Sequence, residues 1–182
     1  MQDSTVGDTL ETRARHRILV PSPIGVLGLE FVDNVATGLE IVPVGSRRRS
    51  YTTFAALKPS ERSDERDEVV GRLSEFLAGA RRNLEIEYDL ELTGADDFTI
   101  RLLRETAKIP YGRTRTYQQI ATSIGRPGAY RQVLASLMTN PLPLIVPCHR
   151  VVPSRAGIGS YVAATAKKDW LLKMEKRRLT SG

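Results

Sequence analysis

Hydrophobic and polar positions in the first part of the chain form short runs of strand length. Apolar residues concentrate in residues 18–20, 24–32 and 35–42, and a turn signal, Pro21 to Gly25, lies between the first two runs. Short strands that follow one another along the chain usually pair with their neighbours. We therefore predict a small antiparallel sheet near the N-terminus.

The pattern after this sheet predicts one helix and one further strand. Apolar positions in Glu68–Leu77 recur at helical spacing, whereas residues in Leu84–Leu92 alternate as in a half-buried strand. Between the sheet and the helix, Arg47–Arg66 is rich in charges and is predicted as a loop. Residues 1–95 are thus expected to form an N-terminal α/β domain with a loop around 46–67.

From Asp96 onward the apolar spacing is helical. Asp97 can cap a helix that ends before Ile109. A second helix is predicted from Thr116 to Ser123 and a third over Ala129–Thr139, with a Gly-containing turn between them. Such a pair is a candidate helix-turn-helix. The expected fold class is α+β, in which a mainly helical, winged helix-turn-helix domain at 96–182 follows the N-terminal domain.

Charge is distributed unevenly between the two predicted domains. The 182 residues carry a formal net charge of +6, yet residues 1–97 hold 12 basic and 18 acidic side chains, and residues 98–182 hold 15 basic and three acidic ones. The C-terminal part, at net +12, favours a polyanionic partner, and nucleic acid is the leading candidate. A solvated basic surface without a partner is the alternative.

The cysteine and histidine content excludes several classes of protein. A single cysteine cannot form an internal disulfide, and one Cys with His16 and His149 is too few for the usual structural zinc sites. We therefore expect no structural metal. The N-terminal segment is polar, and no apolar run approaches the ~20 residues of a membrane span, so a cytoplasmic protein without membrane association is expected.

The strongest chemical signal surrounds the only thiol, Cys148. Four prolines lie within residues 141–153 and restrict the backbone there, as a positioned nucleophile requires. A free thiol is mostly protonated at neutral pH, so the adjacent His149 and Arg150 favour an activated sulfur. Neighbouring side chains usually diverge, so a water between sulfur and imidazole would be needed. The alternative is a buried, inert cysteine.

The motif Ile145–Val152 resembles the active-site signature of the O6-alkylguanine-DNA alkyltransferases, the methylated-DNA–protein-cysteine methyltransferases. The resemblance extends over roughly residues 95–177 and includes the segments 109–117, 159–161 and 168–175. It implies that Cys148 accepts the alkyl group, that His149 deprotonates it through a water, and that Glu175 orients His149. The thioether product has no leaving group, so each molecule would react once, without a cofactor.

The resemblance also implies how DNA is bound. The substrate would be double-stranded DNA that contains O6-alkylguanine, or O4-alkylthymine, held through the minor groove by a monomer with its damaged base flipped out. Arg131 would fill the gap in the base stack, Tyr117 would help rotate the phosphate, and Asn140 would join the helix-turn-helix to the active-site loop. The expected pocket residues are Val151, Tyr161, Val162 and Lys168.

Two departures from the family pattern and three alternative functions need to be considered. Relatives often carry a Gly-rich stretch where this chain has Val133–Ser136, and the zinc site of some N-terminal domains is absent. A non-catalytic lesion-binding protein would lack Cys148, and a helix-turn-helix regulator would have no use for His149 or Glu175. A thiol redox sensor usually has a second, resolving cysteine, which is missing here.

Overall fold

An antiparallel sheet forms the N-terminal part of the protein. The structure, a computed structural model, describes residues 13–42, 51–155 and 157–180. The strands are β1 (Arg15–Ser22), β2 (Gly25–Val32), β3 (Val35–Val42) and β4 (Thr52–Thr53), in the order β3-β2-β1-β4. Adjacent strands among the first three are antiparallel, and β4 runs parallel to β1. The predicted sheet is confirmed.

The turn between β1 and β2 depends on glycine at position 25. Gly25 has a φ of +121°, and a Cβ there would lie 2.8 Å from the carbonyl oxygen of Val42. Ser22 Oγ donates to the Gly25 carbonyl oxygen over 2.5 Å and closes the turn. These contacts set the register, in which Ser22 pairs with Gly25 and Ile18 pairs with Leu29 in the core.

Helix α1 (Asp64–Leu77) covers one face of this sheet. Ser63 caps it by accepting a hydrogen bond from the backbone N–H of Arg66, and acidic side chains fill its first turn, where they interact favourably with the helix dipole. The helix begins four residues before the predicted start at Glu68. Its first turn carries few apolar side chains, so hydrophobic spacing could not detect it.

Two expectations for the N-terminal part were wrong. Leu84–Leu92 is not a strand: its side chains alternate between buried and exposed, but only Tyr88 forms a bridge, to Ala36, within the described residues. In the predicted loop, residues 51–66 contain β4, two 3₁₀ turns (Phe54–Ala56 and Pro59–Glu61) and the start of α1. Residues 46–50 of that loop lie outside the described part.

Four helices and a short parallel ladder make up the rest of the chain. The helices are α2 (Asp97–Ala107), α3 (Tyr117–Ser123), α4 (Tyr130–Met138) and α5 (Thr165–Thr180). The ladder pairs β5 (Arg115–Thr116) with β6 (Val151–Val152). The N-cap of α2 is Asp96, which accepts from the N–H of Thr99, one residue before the expected cap. The two helices predicted for the helix-turn-helix are therefore present, as α3 and α4.

Direct contacts join the N-terminal sheet and helix to the C-terminal helices. The N–H of Leu39 on β3 donates to the carbonyl of Pro141 over 2.7 Å, and the rings of Phe76 and Tyr111 meet edge to face. The division into domains at residue 95 stays a prediction. In the described part of the chain, no helix is long and apolar enough to cross a membrane.

Candidate active site

The thiol lies on a tight turn at the junction of several elements. Cys148 begins a 3₁₀ turn, Cys148–Arg150, that directly precedes β6. Its side chain is only 3% exposed, and its N–H donates to the carbonyl of Val146 over 2.8 Å. Because β6 pairs with β5, and β5 leads into α3, the thiol is tied to the first helix of the helix-turn-helix.

Asn140 lies just after α4 and donates a hydrogen bond to the sulfur itself. Its Nδ2 donates to Cys148 Sγ over 3.0 Å and to the carbonyl of Val146 over 3.1 Å. Its Oδ1 accepts from the N–H of Leu142 over 3.0 Å. Asn140 is buried, so these bonds fix the active-site segment rigidly to the end of α4.

His149 and Glu175 form a buried hydrogen-bonded pair. His149 Nε2 lies 2.9 Å from Glu175 Oε1, and neither side chain is exposed to solvent. An ionised carboxylate accepts only, so Nε2 carries the proton and Nδ1 holds the lone pair. Within the described residues, Nδ1 is buried without a hydrogen-bond partner. This tautomer leaves Nδ1 available to accept a proton.

The protonation states of this pair follow from its burial. Burial lowers the pKa of His149 despite the neighbouring carboxylate, so the imidazole is neutral at physiological pH. Burial alone would raise the pKa of Glu175, but hydrogen bonds from His149 and Arg150 outweigh that effect and lower it. A neutral imidazole beside an ionised carboxylate is the arrangement a general base needs.

Arg150 holds Glu175 and does not activate the thiol. Its Nε and Nη2 donate to the Glu175 carboxylate over 2.9–3.2 Å, and its Nη1 donates to the carbonyl of Ile109 over 2.7 Å. The N–H of Gly112 adds a further bond to Glu175 over 2.8 Å. Because Arg150 is close to Cys148 in sequence, we expected its positive charge to lie near the sulfur. This expectation was wrong: the Arg150 guanidinium points to Glu175 on helix α5 instead.

The resting thiol is therefore not activated, contrary to the expectation. Burial raises the pKa of Cys148 to about 11, and the hydrogen bond from Asn140 and the charge of Lys168 only partly oppose that shift. At neutral pH the sulfur carries its proton. A base must remove this proton during the reaction, and His149 is the neighbouring candidate.

Lys168 is a buried cation that spans the predicted pocket. Its Nζ donates to the carbonyl oxygens of Val151 over 2.6 Å and Ser160 over 3.1 Å, and lies 3.4 Å from the Tyr117 hydroxyl. Burial lowers the pKa of Lys168 to about 8, while a negative charge on Cys148 would raise it. The ammonium thus joins β6, α3 and the segment before α5 around the site.

The remaining pocket residues also lie close to the thiol. Tyr161 is buried, its ring meets the His149 ring edge to face at 6.3 Å, and its hydroxyl has no protein partner within the described residues. Burial raises the pKa of Tyr161 well above its usual value, so this hydroxyl stays a donor. Val162 is half-buried and packs against the core beside it. The carbonyl of Cys148 accepts from the N–H of Val151.

A cavity that opens toward solvent lies between α3, α4 and the segment after β6. This cavity of about 280 Å³ is lined by Tyr117, Gln118, Tyr130, Leu134, Pro153, Ser154, Gly159 and Ser160. Arg131 lies exposed on α4 near this opening, and its Nε donates to the Tyr130 hydroxyl over 3.1 Å. Trp170 is partly buried and packs against the core. Among the described residues, no group of three His, Cys, Asp or Glu side chains could hold a metal ion.

A buried thiol and a His–Glu pair lie beside a helix-turn-helix, an arrangement that fits the class of DNA-binding proteins with a reactive cysteine. Comparisons with known proteins agree. Residues 97–177 match the family model described as the DNA-binding domain of 6-O-methylguanine DNA methyltransferase. The chain is 35% identical over 164 residues to the methylated-DNA–protein-cysteine methyltransferase of Mycolicibacterium paratuberculosis, covering 87% of this chain and 90% of that protein.

Solved structures show the same relationship. The Mycobacterium tuberculosis O6-methylguanine methyltransferase superposes with a TM-score of 0.76 at 33% identity, and covers 91% of this chain and 94% of its own. The structure of Mycobacterium tuberculosis OGT in complex with DNA gives the same TM-score at 34% identity, with 90% and 94% covered.

The chain belongs to the methylated-DNA–protein-cysteine methyltransferase family. The expected α+β fold class, the family and its activity are thereby confirmed. That activity is direct-reversal DNA repair, in which an alkyl group of DNA is transferred to a cysteine of the protein, and DNA is the partner. The roles of individual residues stay predictions.

Proposed function

We propose that Cys148 accepts the O6-alkyl group of alkylguanine in double-stranded DNA, and the O4-alkyl group of alkylthymine. The observation that carries this proposal is the position of the thiol. Its sulfur accepts a hydrogen bond from Asn140, and the next residue is a neutral, buried His149 whose Nδ1 has no partner within the described residues. The site thus combines a fixed nucleophile with a base.

The transfer step requires one proton and one alkyl group to move. A water accepts the Cys148 proton and passes a proton to His149 Nδ1, while Glu175 stabilises the imidazolium that forms. The thiolate attacks the alkyl carbon, so the S–C bond forms as the C–O6 bond breaks. The electron pair of that bond stays on O6 of the released guanine. The thioether that remains on Cys148 has no leaving group, so the protein reacts once.

The pocket residues stabilise the departing base. The Tyr161 hydroxyl is a buried donor, and the Lys168 ammonium is the nearby cation, so both can compensate the charge that develops on O6. The N–H of Val162 is the further donor proposed on this side. The carbonyl oxygens of Cys148 and Val151 would accept from the exocyclic amine of guanine. No cofactor takes part in this proposal.

The base must leave the duplex to reach a thiol that is only 3% exposed. We assign α4 to the minor groove, Arg131 to the gap in the base stack and Tyr117 to the rotated phosphate. The position of Arg131 at the rim of the opening supports this assignment. The monomeric state and the cytoplasmic location remain predictions from the sequence.

The alternatives from the sequence are less consistent with the site. A lesion-binding protein without chemistry, or a helix-turn-helix regulator, has no need for the His149–Glu175 pair or for a thiol held by Asn140. Nothing in the described site favours these alternatives over alkyl transfer.

Mass spectrometry tests the proposal directly. After incubation with duplex DNA that contains one O6-methylguanine, the peptide with Cys148 should gain the mass of one methyl group. Cys148→Ala should take up no methyl and bind the same duplex with a Kd close to that of the wild type, because the basic surface supplies affinity. Methyl uptake by Cys148→Ala, or none by the wild type, would contradict the acceptor assignment.

A further inference from the structure

One aromatic side chain at the opening has no role in the chemistry described so far. Tyr130 is the first residue of α4 and is 45% exposed, the most exposed of the large hydrophobic side chains in the described residues. Single exposed aromatic residues are common on protein surfaces. Tyr130, however, lines the 280 Å³ cavity that opens between α3, α4 and the segment after β6.

Lys168 links the wall of the cavity to the segment that follows the thiol. Tyr117 and Ser160 form part of that wall, and both contact the ammonium of Lys168. That ammonium also binds the carbonyl of Val151, three residues after Cys148. A base that enters the protein through this cavity would pass the Tyr130 ring.

Tyr130 and Leu134 form an apolar wall on one side of the cavity. The two residues are four apart on α4 and so lie on the same face of the helix. Leu134 also packs against the core, which fixes the wall on its inner side. The ring of Pro153 belongs to the same cavity lining and adds further apolar surface.

The side chains of Arg131 and Tyr130 contact each other on α4. The Arg131 Nε donates to the Tyr130 hydroxyl over 3.1 Å, and the guanidinium lies 5.8 Å from the ring centre. Both groups are exposed, so this contact is weak and easily exchanged. If Arg131 enters the base stack, the contact breaks and one face of the ring becomes available.

We propose that the Tyr130 ring is a binding surface that packs against the extruded alkylguanine nucleotide at the entrance of the pocket. This inference rests on the proposed function of Cys148. It assigns binding to the ring and not to the hydroxyl. The aromatic face tolerates any base and adds affinity for the flipped nucleotide, as stacking platforms do for single-stranded nucleic acids.

The test measures transfer to Cys148 at increasing concentrations of a short single-stranded oligonucleotide that contains O6-methylguanine. A single strand avoids the cost of opening a duplex, so the readout reports on the pocket entrance. Tyr130→Ala should raise the half-saturating concentration about tenfold, which lies within the range for loss of one base–aromatic contact. The transfer rate at saturation should stay within twofold of the wild type.

Two variants provide matched controls. Tyr130→Phe keeps the ring and removes the bond to Arg131, so its half-saturating concentration should equal that of the wild type. Met138→Ala removes an exposed apolar side chain from the other end of α4, outside the cavity lining, and should also have no effect.

The outcomes separate this inference from the proposed function. An unchanged half-saturating concentration in Tyr130→Ala, or an equal loss in Tyr130→Phe, would overturn the role of the ring while leaving Cys148 as the acceptor. A loss of equal size in Met138→Ala would point to a general effect on α4 and overturn it as well. No methyl uptake by the wild-type protein would reject the proposed function itself, and the inference with it.

Discussion

At the scale of single residues, the site depends on buried polar and charged groups that form hydrogen bonds and ion pairs with one another. Glu175 accepts hydrogen bonds from His149, Arg150 and the N–H of Gly112, and the side chains of Glu175, His149 and Arg150 are buried. Such a network is stable only when it is complete, because removing one member leaves the others desolvated and unpaired. Substitution of any residue in this network should therefore change both the free energy of unfolding and the rate of alkyl transfer.

Glu175→Gln tests this double role. The variant should slow alkyl transfer without stopping it, since His149 loses its charged orienting partner while Cys148 stays in place. The free energy of unfolding should fall by about 3 kcal/mol, because Arg150 is left as a buried, unpaired cation. Single-turnover kinetics and urea unfolding measure the two effects. Asp169→Asn, which breaks an exposed pair with Lys173 on the same helix, should change stability by less than ~0.5 kcal/mol.

Unchanged transfer kinetics in Glu175→Gln across neutral pH would contradict the orienting role. A loss of stability alone would leave Glu175 as a purely structural residue.

The pH dependence of transfer reports on Lys168. Its pKa is lowered to about 8, so it carries a charge below pH 8 and loses that charge above it. The charge lowers the pKa of Cys148, so removing it should reduce the rate only where the lysine is protonated. We expect the transfer rate of Lys168→Met to be about tenfold below that of the wild type at pH 7, which corresponds to a rise of about one unit in the thiol pKa. At pH 9 the two rates should be closer to each other.

Lys167→Met is the matched control for this prediction, because Lys167 is the adjacent lysine and makes no contact with the pocket carbonyls. It should leave the rate unchanged at both pH values. A ratio of wild-type to Lys168→Met rates that stays constant from pH 6 to pH 9 would indicate that Lys168 only positions the backbone.

At the scale of elements, hydrophobic spacing predicts where side chains are buried better than it predicts hydrogen bonding. Leu84, Ile86 and Leu90 are buried and Glu85 is exposed, as the alternation indicates. The segment nevertheless has no strand partner along most of its length, and Glu85 adopts a φ of +50°. Pairing depends on whether a sheet edge lies alongside, which the local sequence does not report.

The distinction between what the local sequence indicates and what depends on the folded chain also explains which parts of the site could be predicted. The family resemblance implies the roles of Cys148, His149 and Glu175, and the structure pairs Glu175 with His149, the residue after Cys148. The raised pKa of the thiol and the pairing of Arg150 with Glu175 depend on burial and on distances across the fold. These quantities arise only when segments far apart in sequence pack together.

Asn140 tests the connection between α4 and the active-site turn. Asn140→Ala leaves the carbonyl of Val146 and the N–H of Leu142 without this partner, so stability should fall by about 2 kcal/mol. Loss of the bond to sulfur should raise the pKa of Cys148 further and slow transfer at neutral pH. Urea unfolding and single-turnover rates are the measurements. The exposed Asn83→Ala serves as a control.

A transfer rate in Asn140→Ala equal to that of the wild type would show that the hydrogen bond to sulfur has no part in setting the reactivity of the thiol.

At the scale of the whole molecule, the C-terminal part of the chain, which includes α4, carries both the excess positive charge and the thiol. The C-terminal residues 98–182 carry a net charge of +12, so they supply general affinity for the phosphate backbone. The thiol is buried, and a cavity lined by Tyr130 and Leu134 of α4 opens beside this helix. If the base is extruded as proposed, binding to DNA and extrusion are separate steps, and a substitution can affect one without the other.

Arg131→Ala tests base extrusion separately from chemistry. If Arg131 fills the gap in the base stack, the cost of unstacking, a few kcal/mol, is no longer offset, and transfer from duplex DNA should slow even at saturating protein. Free O6-benzylguanine requires no unstacking, so its reaction with Cys148 should be nearly unchanged. Single-turnover rates at saturation on both substrates measure the difference. Arg126→Ala removes another exposed cation, and should weaken binding without lowering the saturated rate.

A phosphate contact at Arg131 would give a different result from a residue that fills the base stack. Its loss would mainly weaken duplex binding and reduce the salt dependence of log Kd by about one unit, as for Arg126→Ala. Saturating protein would then restore the wild-type rate on the duplex. An equal saturated rate would reject the proposed insertion, because filling the stack acts after binding and cannot be replaced by a higher protein concentration.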